Sequence, residues 1–280
     1  MKAALRSVLN RAARNYAAGE HLDDALTAAH EMRQRGAGVT ICYWHTALED
    51  PDAVCERYLG TLDRLASEGL DAHLAMKVPG LWERGDLIST VIDKARDLGI
   101  QVDIDSHEPE KADDAMTAVE LVGARGVGIA IPGRWGRSVE MADWAAEQGL
   151  AVRVVKGSWK DPDAPRIDPV KGFLEVVSTL AGRAREVGVA THNPRMAAES
   201  FRLLADAGTP AVQELVYGLP MEAPARVGAE FGVPLRVYIP YGHAWIPYAA
   251  KRAIADPRVF YWLARDILSR GRDPLPPARV

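Results

Sequence analysis

The sequence predicts an α/β protein: a single (β/α)8 barrel of the TIM type, with extra N-terminal helices and a C-terminal helix. Three observations predict it. Short apolar runs rich in β-branched residues recur eight times along the 280 residues, helical patterns fill the gaps between them, and no Gly-rich dinucleotide-binding fingerprint follows the first run. Strands alternating with helices make parallel βα units. Eight such units favour a closed barrel over an open, doubly wound sheet.

Taken in order, two helical segments at about 2 to 17 and 21 to 35 come first, so residues 1–36 are expected as N-terminal helices packed on the barrel. Lys2, Arg6, Arg11 and Arg14, with no acid before Glu20, give this end the charge pattern of a transit peptide. Leu5, Val8, Leu9 and Ala12 recur at helical spacing, however, and predict an amphipathic helix instead. The strand-like runs follow at 38–44 (GVTICYW), 71–78 (DAHLAMKV), 100–104 (IQVDI), 126–131 (GVGIAI), 150–155 (LAVRVV), 187–191 (VGVAT), 211–216 (AVQELV) and 234–239 (PLRVYI). Between them, Val54, Tyr58, Leu62 and Leu65 form one helical face and Phe173, Val176, Val177 and Leu180 another. Gly36, Gly69, Gly99, Gly149 and Gly208 stand where a helix would stop before the next strand. The catalytic barrel is expected over 37–270, ending in an added helix at about 257–270, and 271–280 reads as a loose tail around PLPPARV.

Composition excludes several classes of function. The 38 acidic and 34 basic residues leave a net charge of -4, so no global field would attract nucleic acid or an anionic membrane. No apolar run is long enough to span a bilayer. Cys42 and Cys55 are too few for a secreted disulfide scaffold, and Cys42 lies in an apolar run, which points to buried thiols in a reducing cytoplasm.

In a barrel, reacting groups belong at the carboxyl ends of the strands. Those ends carry His45, Lys77, Asp103 with Asp105, Arg134, Lys156, His192 with Asn193, Tyr217, and Tyr238 with Tyr241. Arg153 is a cation inside an apolar strand, which is costly to bury alone and demands either an electron-rich partner at the mouth or a structural carboxylate. Three chemistries fit these residues. One is a Schiff-base aldolase using Lys156 or Lys77. Another is a metal-dependent hydrolase using Asp103, Asp105 and His107 of DIDSH with His192. The bland alternative for DIDSH is a helix N-cap by Asp105 or Ser106, and for Ser106 the cap is the preferred reading. The third is a flavin enzyme, with cations such as Arg153 and Lys156 at the ring and phosphates.

A family resemblance bears on that choice. RVVKGSWKD (153–161), ATHN (190–193), ELVYGLP (214–220), RVYIPYG (236–242) and the early RAARNYAAGEHLDDAL resemble, in order, the strand-end signatures of proline dehydrogenases. The resemblance covers about residues 10 to 260. It implies non-covalent FAD and hydride transfer to flavin N5 from a carbon beside a ring nitrogen, converting L-proline, or a related cyclic or secondary amino acid, to the imine. For proline that product is 1-pyrroline-5-carboxylate.

Carried over by motif, Arg153 would stand near N5, with Lys156, Gly157, Ser158, Thr191, His192 and Asn193 along the cofactor. Lys77 and Asp103 would match the lysine and aspartate ending strands two and three, and Tyr238 would close the substrate pocket. Tyr248, Lys251 and Arg252 in YAAKRAIAD would hold the substrate carboxylate. The resemblance also implies a quinone as electron acceptor, coupling to a pyrroline-carboxylate dehydrogenase, and a cytoplasmic protein peripheral to the membrane. The chain departs from the pattern at His45, Pro132, Trp159, Lys251 and Ala255, which fall in the substrate pocket more than at the flavin. A flavin-binding homologue without proline turnover is the remaining alternative.

Overall fold

A computed structural model describes residues 18–46, 48–81, 84–105 and 108–242. Helix α1 (Leu22–Gln34) precedes the barrel; then come β1 (Gly38–Tyr43), α2 (Pro51–Ser67), β2 (Ala72–Lys77), α3 (Gly85–Asp97) and β3 (Val102–Asp105). They are followed by α4 (Ala112–Val122), β4 (Val127–Pro132), α5 (Ser138–Glu147), β5 (Ala151–Val155) and α6 (Pro169–Leu180). The described chain continues with β6 (Glu186–Ala190), α7 (Pro194–Asp206), β7 (Ala211–Val216), α8 (Glu222–Glu230) and β8 (Leu235–Tyr241). All eight strands are parallel and close in sequence order, with β1 pairing both β2 and β8. The expected (β/α)8 barrel is what forms.

Local sequence explains where the helices start and stop. Three begin with an Asx-Pro pair: Asp50 before Pro51, Asp168 before Pro169 and Asn193 before Pro194. In each, the side-chain oxygen accepts hydrogen bonds from the two backbone N–H groups of the first turn, and the proline loses nothing by lacking a donor there. The five glycines expected as helix stops all take positive φ, from 58° at Gly69 to 77° at Gly36. One expectation fails. The helix after β3 is not capped by Asp105, because Pro109 starts a separate 3-10 turn, Pro109–Lys111, and the helix begins only at Ala112 with Lys111 at its N-cap; Ser106 lies outside the described residues. Asp105 is thereby released from capping and remains a strand residue.

The apolar core lies outside the sheet, between strands and helices. Ile41, Leu74, Ile104, Ile129, Val154, Val189 and Val237 alternate along their strands and are fully buried there. The intervening residues face the lumen, where Asp103, Asp105, Arg153 and Glu214 stand among Gly128, Ala130 and Gly188. Barrel interiors are commonly filled by branched aliphatic side chains; here much of the filling is charged. Helix α1 packs against β1 and β8, and the residues before it run beside the end of β8, where Ala18 N–H donates to the Pro240 carbonyl. The segments at 2–17, 257–270 and 271–280 lie outside the described residues.

Candidate active site

Four strands meet at the carboxyl end of the lumen through one carboxylate. Asp105, the last residue of β3, accepts from Lys77 Nζ of β2 and from the Tyr238 hydroxyl of β8, each at 3.1 Å on Oδ2, and from Arg153 Nη2 of β5 on Oδ1. Tyr238 adds its ring beneath the guanidinium, 4.8 Å from ring centre to Cζ. Lys77 Nζ also stands 5.4 Å from the centre of the Trp44 ring. Strands two, three, five and eight are not all neighbours, so only the lumen can bring these side chains together.

The charges fix one another. Burial works against an ionised Asp105, but Lys77 and Arg153 outweigh it and hold the carboxyl below its usual range. Burial likewise opposes the Lys77 ammonium, yet Asp105 raises its pKa above the ordinary value. A Schiff-base lysine needs the opposite shift to expose a nucleophilic amine, so the aldolase reading loses Lys77, and Lys156 is exposed to solvent. Arg153, only 6 % exposed, is held charged because Asp105 and Glu214 overcome its desolvation.

Asp103 does not join this cluster. It lies two residues earlier on β3, one layer deeper in the lumen, where it accepts from Gln101 Nε2 at 2.8 Å and pairs with His73 Nδ1 at 3.1 Å. Both aspartates face inward because side chains alternate along a strand, and the later one reaches the mouth. Glu214 also lies below Arg153, 3.5 Å from its Nη1. The quoted strand-seven motif contained Glu214 without assigning it a role; the signal available was its inward position on the same alternation.

The loops after β4 and β5 are tied into one unit. Gly133 N–H donates to the Val155 carbonyl at 2.7 Å, Arg134 Nη1 to the Gly157 carbonyl at 3.1 Å, Trp135 Nε1 to the Trp159 carbonyl at 3.1 Å and Gly136 N–H to Asp161 Oδ2 at 2.8 Å. Gly157 has φ +82°, and a Cβ there would lie 2.8 Å from Pro132 Cβ, so the turn requires glycine. Lys156 and Ser158 lie exposed beside it.

The strand-six residues are engaged mainly with backbone. The His192 ring binds the chain following β7, with Nε2 accepting from Val216 N–H and Nδ1 next to the Pro220 carbonyl, both at 2.9 Å. Thr191 Oγ1 accepts from Asn193 N–H, and Asn193 caps α7. The positive end of that helix therefore opens on the catalytic face, a position suited to an anion. His45, at the end of β1, is half-buried against Gly80, and its pKa is lowered chiefly by burial. Tyr241 points outward to Thr61 of α2, with 2.7 Å between the hydroxyls, and Tyr217 is buried. Tyr248, Lys251, Arg252, Ala255 and His107 lie outside the described residues. Among the described residues no three His, Cys, Asp or Glu side chains gather to hold a metal ion.

An electron-rich, anionic ligand fits this end of the barrel. Lys77 and Arg153 supply charge at the mouth, and Arg153 Nε and Nη1 are buried without a hydrogen bond among the described residues.

No family model matches the chain. Curated relatives do. It is 22 % identical to proline dehydrogenase 1 of Bacillus subtilis (strain 168), covering 92 % of this chain and 91 % of the relative. It is 24 % identical to the proline dehydrogenase of Deinococcus radiodurans, covering 88 % and 86 %. Among solved structures, proline utilization A (PutA) from Bdellovibrio bacteriovorus, inactivated by N-propargylglycine, superposes with a TM-score of 0.77 at 17 % identity. That match covers 91 % of this chain but only 33 % of the PutA chain, so the present chain spans about a third of that larger protein. Over most of its length the chain is thus similar to proline dehydrogenases, at 22–24 % identity.

Proposed function

We propose that this barrel is an FAD-dependent oxidoreductase that oxidises L-proline, or a closely related cyclic or secondary amino acid, to its imine. The observation that carries the reading is the Lys77–Asp105–Arg153–Tyr238 cluster at the carboxyl end of four strands. The likeness to proline dehydrogenases over most of the chain supports it. When bound, FAD would supply the two-electron acceptor for hydride leaving the carbon beside the ring nitrogen. Arg153 would hold it at the ring, where a fixed cation stabilises developing negative charge, and Lys156, Gly157, Ser158, Thr191 and Asn193 would line its arm. His192 would act by fixing the strand-seven backbone.

The chain's own groups then have separable tasks. Lys77 stays protonated and attracts the substrate carboxylate, and Lys251 and Arg252 on the segment after β8 are proposed to complete that grip, with Tyr248 beside them. Asp105 stays ionised, so it orients Lys77, Arg153 and Tyr238 rather than taking a proton. The substrate amine must shed its proton to solvent before hydride leaves, and the rate should rise with pH through the pKa of the bound amine. Tyr238, its hydroxyl fixed on Asp105, presents its ring as a wall of the pocket. Positioning is the main catalytic device. Asp103 supports the cluster from below.

The electron acceptor is proposed to be a quinone and the product to pass to a pyrroline-carboxylate dehydrogenase, with the protein in the cytoplasm at the membrane surface. No described helix is long and apolar enough to cross a membrane.

Purified protein reconstituted with FAD should absorb as a flavoprotein and bleach anaerobically when L-proline is added. A protein that cannot take up FAD would refute the flavin reading. One that takes it up but does not bleach with proline or its analogues would leave a flavin binder without this turnover.

A further inference from the structure

Beneath the mouth the lumen holds a second set of charges that the proposed reaction does not use. Arg153 on β5 is flanked two strands away on either side by acids, Asp103 on β3 and Glu214 on β7. Each acid occupies space that a glycine on the intervening strand leaves open. A Cβ at Gly188 would lie 2.6 Å from Glu214 Oε1, and one at Gly128 would lie 2.5 Å from Asp103 Oδ1. Gly188 is the register partner of Arg153 itself. The Glu214 carboxylate reaches under the guanidinium through that gap and stops 3.5 Å from Nη1. Both Glu214 Oε2 and Arg153 Nη1 are buried, and neither has a hydrogen bond among the described residues. A charge facing another in this way acts through its field more than as a cross-link.

We propose that Glu214 is a positioning residue for Arg153, a carboxylate set beneath the guanidinium that determines how much positive charge the mouth presents to the flavin and so tunes the cofactor's reduction potential. The proposal rests on the flavin reading above. Glu214 faces Arg153 of β5, Asp103 of β3, His73 of β2 and Arg236 of β8, with Glu186 of β6 lining the same cavity of about 10 Å³. Burial, and then the charge of Asp103, raise the Glu214 pKa against the opposing pull of Arg153. His73 and Gln101 line both this cavity and a recess of about 350 Å³ at the amino ends of β2 and β3. His73 and Gln101 thus stand between the floor and the recess on the face opposite the mouth. As pH rises and Glu214 loses its proton, the floor gains a negative charge and partly cancels Arg153. Negative charge on a reduced ring is then held less well, and the potential falls.

The test is the flavin reduction potential of the FAD-loaded full chain, followed from mildly acidic to alkaline pH. Glu214→Gln keeps the shape and removes the charge. In it the reduction equilibrium should favour reduced flavin about tenfold more than in the wild type at alkaline pH, about 30 mV for a two-electron couple, and the gap should narrow on acidification. Glu214→Asp keeps the charge but withdraws it from Arg153, and should lie between the two. Superimposable potentials for wild type and Glu214→Gln, with flavin bound in both, would overturn the proposal and leave the flavin reading standing. If Glu214→Gln does not fold, an unchanged potential in Glu214→Asp would overturn it equally. A wild-type chain that binds no FAD would sink both.

Discussion

Arg153 keeps a full positive charge in a lumen where other barrels place aliphatic side chains, and Asp105, Asp103 and Glu214 compensate it. Removing the cation would leave Asp105 with Lys77 and Asp103 with His73, but Glu214 buried with no ion-pair partner among the described residues. Arg153→Met should therefore lower unfolding stability by about 3–5 kcal/mol, the usual consequence of breaking a buried ion pair from one side, as read by urea denaturation. An unchanged midpoint would mean that Glu214 takes up a proton at little cost. The same scale shows what sequence reading could and could not reach. Lys77, Arg153 and Tyr238 were singled out from strand-end position and motif, and the structure brings them together. Asp103 was named by motif, whereas that Asp105 is the aspartate at the mouth depended on where β3 ends. The partner contacts could not be read at all, since Asp105 meets Arg153 across 48 residues and Tyr238 across 133.

Among the elements, the strands were the most legible. All eight apolar runs became strands because alternating and β-branched residues suit a sheet buried by helices on its outer side. Their inner faces were less legible, since a glycine in a strand can mark a bulge, a bend or a close approach. Gly188 is the third case. Gly188→Ala would put a Cβ 2.6 Å from Glu214 Oε1, forcing the acid away from Arg153 or the strand outward. The variant should lose about 1–3 kcal/mol in chemical denaturation, whereas Gly60→Ala, on an open helix surface with nothing within 4 Å of the added carbon, should gain about 0.5–1 kcal/mol. Equal stability in the two variants would show that β6 yields freely. The joined loops after β4 and β5 are the other element-level result. Pro132 departs from the family pattern, and the Gly133, Arg134, Trp135 and Gly136 that follow it are what anchors the strand-five loop.

For the whole molecule, a lumen full of acids makes stability depend on pH. His73 draws Asp103 down to about 2 although burial opposes it, and Asp105 is lowered by Lys77 and Arg153. Their folded pKa values lie below the unfolded carboxyl value of about 3.9. The stability they contribute is therefore present above roughly pH 4 and lost as pH falls through the folded values. Glu214 has the opposite sign: its raised pKa contributes stability at low pH that fades as pH rises through its folded value. Urea midpoints should fall steeply from about pH 5 to pH 2, and Asp103→Asn should flatten that slope. A slope unaltered by the variant would place the acid sensitivity elsewhere. Charge-neutral bulk composition gave no hint of this, because a net charge of -4 averages over a surface and a lumen of very different character.

The gap at Gly188 has a further consequence. An acid at 214 and a side chain at 188 exclude each other in the same space, so 188 cannot gain a side chain while Glu214 stays. A lineage that fills 188 must first shorten 214, and one that lengthens 214 must already have emptied 188. The two residues form a single heritable unit, and the order of mutational steps open to this barrel is constrained by the room beneath one arginine.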